Sequence, residues 1–137
     1  MKTEEKSDKI AGANEVKLKG DNPFLHVIRS TGYSIEGLAS ALKHEMAFRM
    51  EFILALILVP VALLLPVSLV LSLALVSSVL IVLMVELLNS AIETTIDYIS
   101  LKQHPLAKRA KDIGSAAVFL ALLNCGIWWV YAILSVG

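Results

Sequence analysis

Three long apolar runs separated by short polar stretches set the architecture of this chain. Residues 52–65 are apolar throughout, Pro60 included. With the turn and a half before them they give a first span of about 46–65, roughly the 20 residues that a helix needs to cross a bilayer. Pro60 reads as a kink, since membrane helices tolerate proline where neighbours accept the freed carbonyl. Pro66 ends the run, and Val67-Ser68 leave room only for a tight turn, so the next helix returns antiparallel. A second span is expected at 69–89, continuing as helix to 99, with Ser72, Ser77 and Ser78 as small residues suited to close helix contacts. A loop follows at 100–104. The third span, 113–136, is entered through Gly114-Ser115-Ala116-Ala117, another small-residue face, and carries Trp128, Trp129 and Tyr131 near its far end as an interfacial aromatic belt. Ahead of these runs, Asn22 as N-cap and Pro23 at the first helical position announce a helix over about 23–43. Phe24, Val27 and Ile28 share one of its faces, and Ile35, Leu38, Leu42 and Met46 another, as in a helix lying in the membrane interface. Residues 1–21 are polar and charged and read as a disordered tail. The pattern therefore predicts an all-α membrane protein, with an N-terminal amphipathic surface helix plus three transmembrane helices in a domain at 22–137.

Composition sharpens this picture. Hydrophobic residues make up 57% of the 137 positions, above the roughly 45–50% of ordinary globular domains, and mean hydropathy is +0.75. Formal net charge is zero, but the charges lie in two blocks, 2–51 and 86–112, with none in 52–85 or after Asp112. Lysine and arginine populate the N-terminal region and the second loop, whereas the first turn and the C-terminus have none. By the positive-inside rule the N-terminus and residues 86–112 share the cytoplasmic side. A single cysteine, Cys125, rules out an internal disulfide and reads as a small buried hydrophobe. The first twenty residues contain no apolar core of a cleavable signal. No nucleic-acid partner is expected.

Candidate chemistry lies where the second run becomes polar without a break. On a helix turning about 100° per residue, Glu86, Asn89, Ser90, Glu93 and Asp97 fall in one stripe roughly 100° wide. Ionised carboxylates at the edge of hydrocarbon are costly unless a cation, metal or proton accompanies them. A second charged cluster, Glu45 and Glu51 with Arg49 between them, lies immediately before the apolar run at 52–65 and at the same depth; Glu45 and Arg49 have the spacing of a helical ion pair. Glu45, Glu86, Glu93 and Asp97 offer the oxygen ligands that Mg²⁺ prefers. Lys111 would neutralise a phosphate, with Asp112 to hold the lysine. There is no G-x-x-x-x-G-K-[ST] loop, no G-x-G-x-x-G and no protein-kinase catalytic loop. Spacing alone does not point to ATP.

The residues Glu-Leu-Leu-Asn-Ser-Ala-Ile-Glu at 86–93, Asp97, and His-Pro-Leu-Ala-Lys-Arg-Ala-Lys-Asp-Ile-Gly-Ser-Ala-Ala-Val at 104–118 resemble the small prokaryotic diacylglycerol kinase family. So do Gly32-Tyr33-Ser34 with Gly37-Leu38, and Glu45 with Ala47-Phe48-Arg49 and Glu51. The likeness runs from Phe24 nearly to the C-terminus and departs at His26, where the family often has arginine. It implies ATP-dependent phosphorylation of diacylglycerol to phosphatidic acid by a homotrimer with shared active sites. The setting is the bacterial cytoplasmic (inner) membrane, with the site facing the cytoplasm. By the same resemblance, Glu86 is the general base, and Glu45 and Glu93 hold the Mg²⁺ that accompanies ATP. Tyr33, Lys102, Gln103, His104, Lys111 and Asp112 lie around the nucleotide. The lipid would be met by Ser30, Thr31, Gly32, Tyr33, Ser34 and Ile35, by Ala47, Phe48, Arg49, Met50 and Glu51, and by Ser115. Asn89, Ser90 and Asp97 support the site. Two other readings compete: an undecaprenol kinase of the same family, and an oligomeric cation-binding or ion-conducting membrane protein.

Overall fold

The structure, a computed structural model, describes residues 22–100, 102 and 104–136. The expected tail at 1–21 and the nucleotide contact assigned to Gln103 lie outside these. Four helices make up the described chain: α1 (Pro23–His44), α2 (Met46–Leu64), α3 (Leu69–Ile99) and α4 (Pro105–Val136). The chain divides into two units, Met1–Leu38 and Ala39–Gly137.

Local chemistry accounts for the helix ends. Asn22 caps α1, its Oδ1 accepting from the Phe24 N–H at 3.1 Å while its carbonyl accepts from His26. The helix then continues unbroken through Gly32 and Gly37. Glu45, the single residue between α1 and α2, is extended, with φ −102° and ψ 113°. Helix α2 runs through Pro60 to Leu64, and Ser68 caps α3 by accepting from the Leu71 N–H at 3.3 Å. The last helix begins eight residues before the stretch expected to cross the membrane. Pro105 has no N–H to orphan, and the His104 Nδ1 accepts the Leu106 N–H at 3.2 Å. Residues 105–112, which lie between the expected loop at 100–104 and the expected span at 113–136, are thus the first two turns of one continuous helix.

Three helices, α2, α3 and α4, are long and apolar enough to cross a membrane. Contacts pair α3 with both α2 and α4, so α3 is the central helix and carries most of the buried residues. Both pairings are antiparallel. Ser78 meets Cys125 at 3.5 Å, and further along Asp97 meets Lys111 at 2.7 Å. The core is rich in small residues: Ala62 and Ala132 are fully buried together around Leu75, and Ala55, Ser72, Ser78 and Ala121 are buried as well. Small side chains let helices approach closely in lipid, where packing replaces the hydrophobic drive between helices. Large residues such as Leu54, Ile57, Leu73, Phe119 and Ile127 are turned outward, as a bilayer-embedded helix requires.

Length positions the site. At 1.5 Å per residue, the 19 residues of α2 extend about 29 Å, close to the ~30 Å hydrocarbon thickness. The 31 residues of α3 and 32 of α4 extend about 47 and 48 Å. Each exceeds the apolar layer by about three turns. Because the two are antiparallel, the excess falls at one end, which holds Glu93 and Asp97 on α3 and Lys108, Arg109, Lys111 and Asp112 on α4.

Candidate functional site

Glu86 stands at the centre of the polar end. It lies on the inner face of α3 and is only 5% exposed. Glu93, two turns further along the same face, and Glu45, at the bend before α2, bring their charges to bear on it. Glu86 in turn acts on Glu51, from the second turn of α2, whose Oε2 is buried without a hydrogen-bond partner. The structure thus gathers four carboxylates from two helices and the bend between α1 and α2. Three of them, Glu45, Glu86 and Glu93, are those to which the family resemblance assigns base and metal roles. Among the described residues, no three His, Cys, Asp or Glu side chains form a ready-made metal cage. An all-oxygen set that supplies one or two carboxylates fits Mg²⁺, which keeps several waters and takes its other ligands from phosphate.

Asn89 and Ser90, both buried, occupy the turn after Glu86. The Asn89 Nδ2 donates to Glu93 Oε1 at 3.1 Å. Its Oδ1 faces Gly114 on α4, where a Cβ would overlap it.

At the mouth of the bundle an open pocket of about 710 Å³ is lined by Asp97, Lys102, His104, Lys108, Lys111 and Asp112, among others. Of the residues expected around a nucleotide, Lys102, His104, Lys111 and Asp112 are therefore brought together. The pairing within this group differs from the expected one. Lys111 is held by Asp97 across the two helices at 2.7 Å, whereas Asp112 takes Lys108, one turn back on its own helix, at 2.6 Å. Adjacent residues on a helix point about 100° apart, so Asp112 cannot reach its neighbour as readily as Asp97 can from the facing helix.

Arg49 also differs from the ion pair that its spacing suggests. Its Nε and one terminal nitrogen donate to the Leu42 and Lys43 carbonyls at 3.0 Å each. These are orphan acceptors of the last turn of α1, and a guanidinium satisfies them while opposing the helix dipole. Arg49 thereby fixes the bend that carries Glu45. Arg49→Ala is expected to cost about 0.3–1 kcal/mol, the usual value of a cation at a helix C-terminus. Hydrogen exchange at the amides of residues 44–47 should accelerate, and Arg49→Lys should restore part of the protection. Unchanged exchange in the alanine variant would show that the bend holds without it.

The other residues expected to meet a lipid are placed less tightly. Phe48 is fully buried and stacks near Phe52, with ring centroids 6.1 Å apart; Ala47, Met50 and Ser115 are exposed. Ser30, Thr31, Gly32, Tyr33, Ser34 and Ile35 belong to the first unit and are all exposed, with the Thr31 and Ser34 hydroxyls donating to carbonyls of α1 itself. Sequence reasoning marked Gly114 for close helix packing but missed its meeting with Asn89, the capping role of Arg49 and the Asp97–Lys111 bridge. The one signal for the first and last is register: a five-residue connection between antiparallel helices sets residues near 89 and 97 opposite those near 114 and 111.

Three antiparallel spans with carboxylates gathered at one end, beside a lysine-lined pocket, define a helical membrane protein with a polar site at the interface. The prokaryotic diacylglycerol kinase family model matches residues 32–133. The chain is 45% identical over 116 residues to a diacylglycerol kinase of Pseudomonas aeruginosa, covering 85% of this chain and 94% of that protein. It is 51% identical over 104 residues to one of Haemophilus influenzae, covering 76% and 88%, and 43% identical over 106 residues to one of Escherichia coli, covering 77% and 87%. The chain belongs to the prokaryotic diacylglycerol kinase family.

Proposed function

We propose that this protein phosphorylates diacylglycerol to phosphatidic acid, using ATP, at the cytoplasmic face of the bacterial inner membrane. The observation that carries this reading is the buried Glu86 flanked by Glu93 and Glu45, at the end of a three-span bundle whose relatives are named diacylglycerol kinase. The lipid's primary hydroxyl reaches the interface at the depth of Glu86, which accepts its proton as the oxygen attacks the γ-phosphorus and the bond to the ADP oxygen breaks. Glu45 and Glu93 are the residues that would hold Mg²⁺. When bound there with the nucleotide, the ion supplies neutralisation of charge on the transferring phosphoryl group. Lys111 adds a positive charge at the pocket mouth, fixed in direction by Asp97. Phosphoryl transfer asks mainly for positioning and charge neutralisation, so a handful of helix-borne side chains suffices. The cytoplasmic orientation is supported by the lysine and arginine distribution, and a homotrimer with shared sites by the family resemblance.

The test is ATP consumption by purified protein in detergent–lipid micelles with Mg²⁺, with diacylglycerol and undecaprenol supplied separately. Turnover that prefers diacylglycerol and yields phosphatidic acid is expected. Preference for undecaprenol would keep the site and change the acceptor, and phosphorylation of neither lipid would overturn the reading.

The two lysine bridges separate the roles of neighbouring cations. Lys108 is 78% exposed and paired along its own helix, an arrangement worth little. Lys111 is 35% exposed and paired between helices. Lys111→Ala is expected to raise the KM for ATP about tenfold to a hundredfold, the equivalent of one lost charge-assisted hydrogen bond. Lys108→Ala should raise it less than about threefold, within the range of a surface pair. Steady-state kinetics with ATP varied at saturating lipid decide this, and equal effects of the two substitutions would remove Lys111 from its assigned role.

A further inference from the structure

Gly114 and Asn89 present a contact that the proposed chemistry leaves unexplained. A carboxylate only accepts hydrogen bonds, so the Asn89 amide must turn its Nδ2 toward Glu93, as it does at 3.1 Å. That orientation sends Oδ1 toward α4, where it is buried with no hydrogen-bond partner. Leaving a buried acceptor unpaired is unfavourable, and the amide would gain by rotating away. What the oxygen meets instead is Gly114. A Cβ built on this residue would overlap Oδ1 and lie 3.3 Å from the amide carbon. The hydrogen that glycine carries in place of Cβ therefore points at the oxygen, in the manner of a weak Cα–H···O contact.

Glycine is unfavourable in a helix interior, and Gly114 lies inside α4 and is buried. Gly126, in the same helix, meets nothing within 4 Å, so a close approach is particular to position 114. We propose that Gly114 is a positioning residue for Glu93, acting through Asn89. Its notch seats the amide oxygen, which holds the amide nitrogen on Glu93 Oε1 and fixes the rotation of that carboxylate, leaving the second oxygen as the ligand atom. The contact itself stands on geometry alone; its consequence for Mg²⁺ rests on the function proposed above.

A double-mutant cycle in the full-length protein tests this, with Gly114→Ala, Asn89→Ala and both together. Two quantities are read: the thermal midpoint in detergent, and the Mg²⁺ concentration for half-maximal ATP turnover. Each single variant should raise the Mg²⁺ requirement about 10- to 100-fold, as for the loss of a partner that orients a metal ligand, with the KM for lipid unchanged. The double variant should be no worse than Asn89→Ala alone in either quantity, because without the amide an alanine at 114 has nothing to displace. Folding of the double variant where Gly114→Ala does not fold supports the same conclusion. Additive losses overturn the proposal, as do a Gly114→Ala protein with the wild-type Mg²⁺ requirement and failure of both Gly114→Ala and the double variant to fold. Absence of turnover in the unmodified protein would instead count against the kinase reading, while the thermal cycle would still judge the Gly114–Asn89 contact.

Discussion

Glu86→Gln is expected to abolish turnover and to leave the protein folded. The substitution is nearly isosteric, so the α3 packing around Val82, Asn89 and Ser90 keeps its shape. It removes the one carboxylate buried among the described residues, with Glu93 and Glu45 acting on its charge and its own charge acting on Glu51. Loss of a general base lowers rate by about 10²–10⁴-fold, whereas loss of a like charge from a crowded group relieves repulsion. The two effects have opposite signs on two different measurements. Activity in lipid micelles should fall to background, and the thermal midpoint in detergent should stay level or rise. A glutamine variant that retains more than a tenth of the wild-type rate would move the base to another residue. A variant that loses activity together with its helical signal would show that Glu86 is needed for assembly instead.

Glu93→Gln is expected to give the second large effect, and one of a different kind. Glutamine keeps a carbonyl oxygen that can still accept from the Asn89 Nδ2, but the bond loses the strength that an ionised acceptor gives it. The charge that draws a divalent cation to this turn of α3 is lost as well. The Mg²⁺ concentration for half-maximal turnover should rise about 10- to 100-fold, and the rate should recover substantially when Mg²⁺ is raised to saturation. No such recovery is expected for Glu86→Gln, whose missing proton acceptor excess metal does not replace. Titrating Mg²⁺ for both variants at fixed ATP and lipid separates the two roles. If Glu93→Gln changed only the KM for lipid, Glu93 would belong to the acceptor side of the site.

These roles were legible to unequal degrees. The stripe of Glu86, Asn89, Ser90, Glu93 and Asp97 follows from helical periodicity once the apolar run is recognised, and α3 carries it as one unbroken helix. The start of α1 follows from capping chemistry at Asn22, and that of α3 from the tight turn after Pro66, whose Ser68 the structure shows to be the cap. Periodicity could not say how far α4 extends toward its N-terminus, because the charged residues 105–112 have no apolar face to mark a helix; Pro105 and His104 decide it by backbone and capping chemistry. Nor could it choose among donors and acceptors of equal chemistry. Lys111 had Asp97 and Asp112 as candidate partners, and Arg49 had Glu45 as well as the carbonyls it finally takes.

By itself, the sequence determined the number of spans, the antiparallel return after Pro66 and the confinement of charge to one end. It also determined which face of α3 is polar. All of these depend on residue order within a single helix and on the energetic cost of charge in hydrocarbon. The tertiary structure decided which side chains meet across helices. Those meetings depend on axial register and on rotation of each helix about its axis, and both depend on buried apolar residues distant from the site. Close packing of Ala62, Leu75 and Ala132 sets the register that brings Asp97 to Lys111 and Gly114 to Asn89. A one-residue shift there would turn each helix face by about 100° and separate the carboxylates that the sequence had already placed at the same depth.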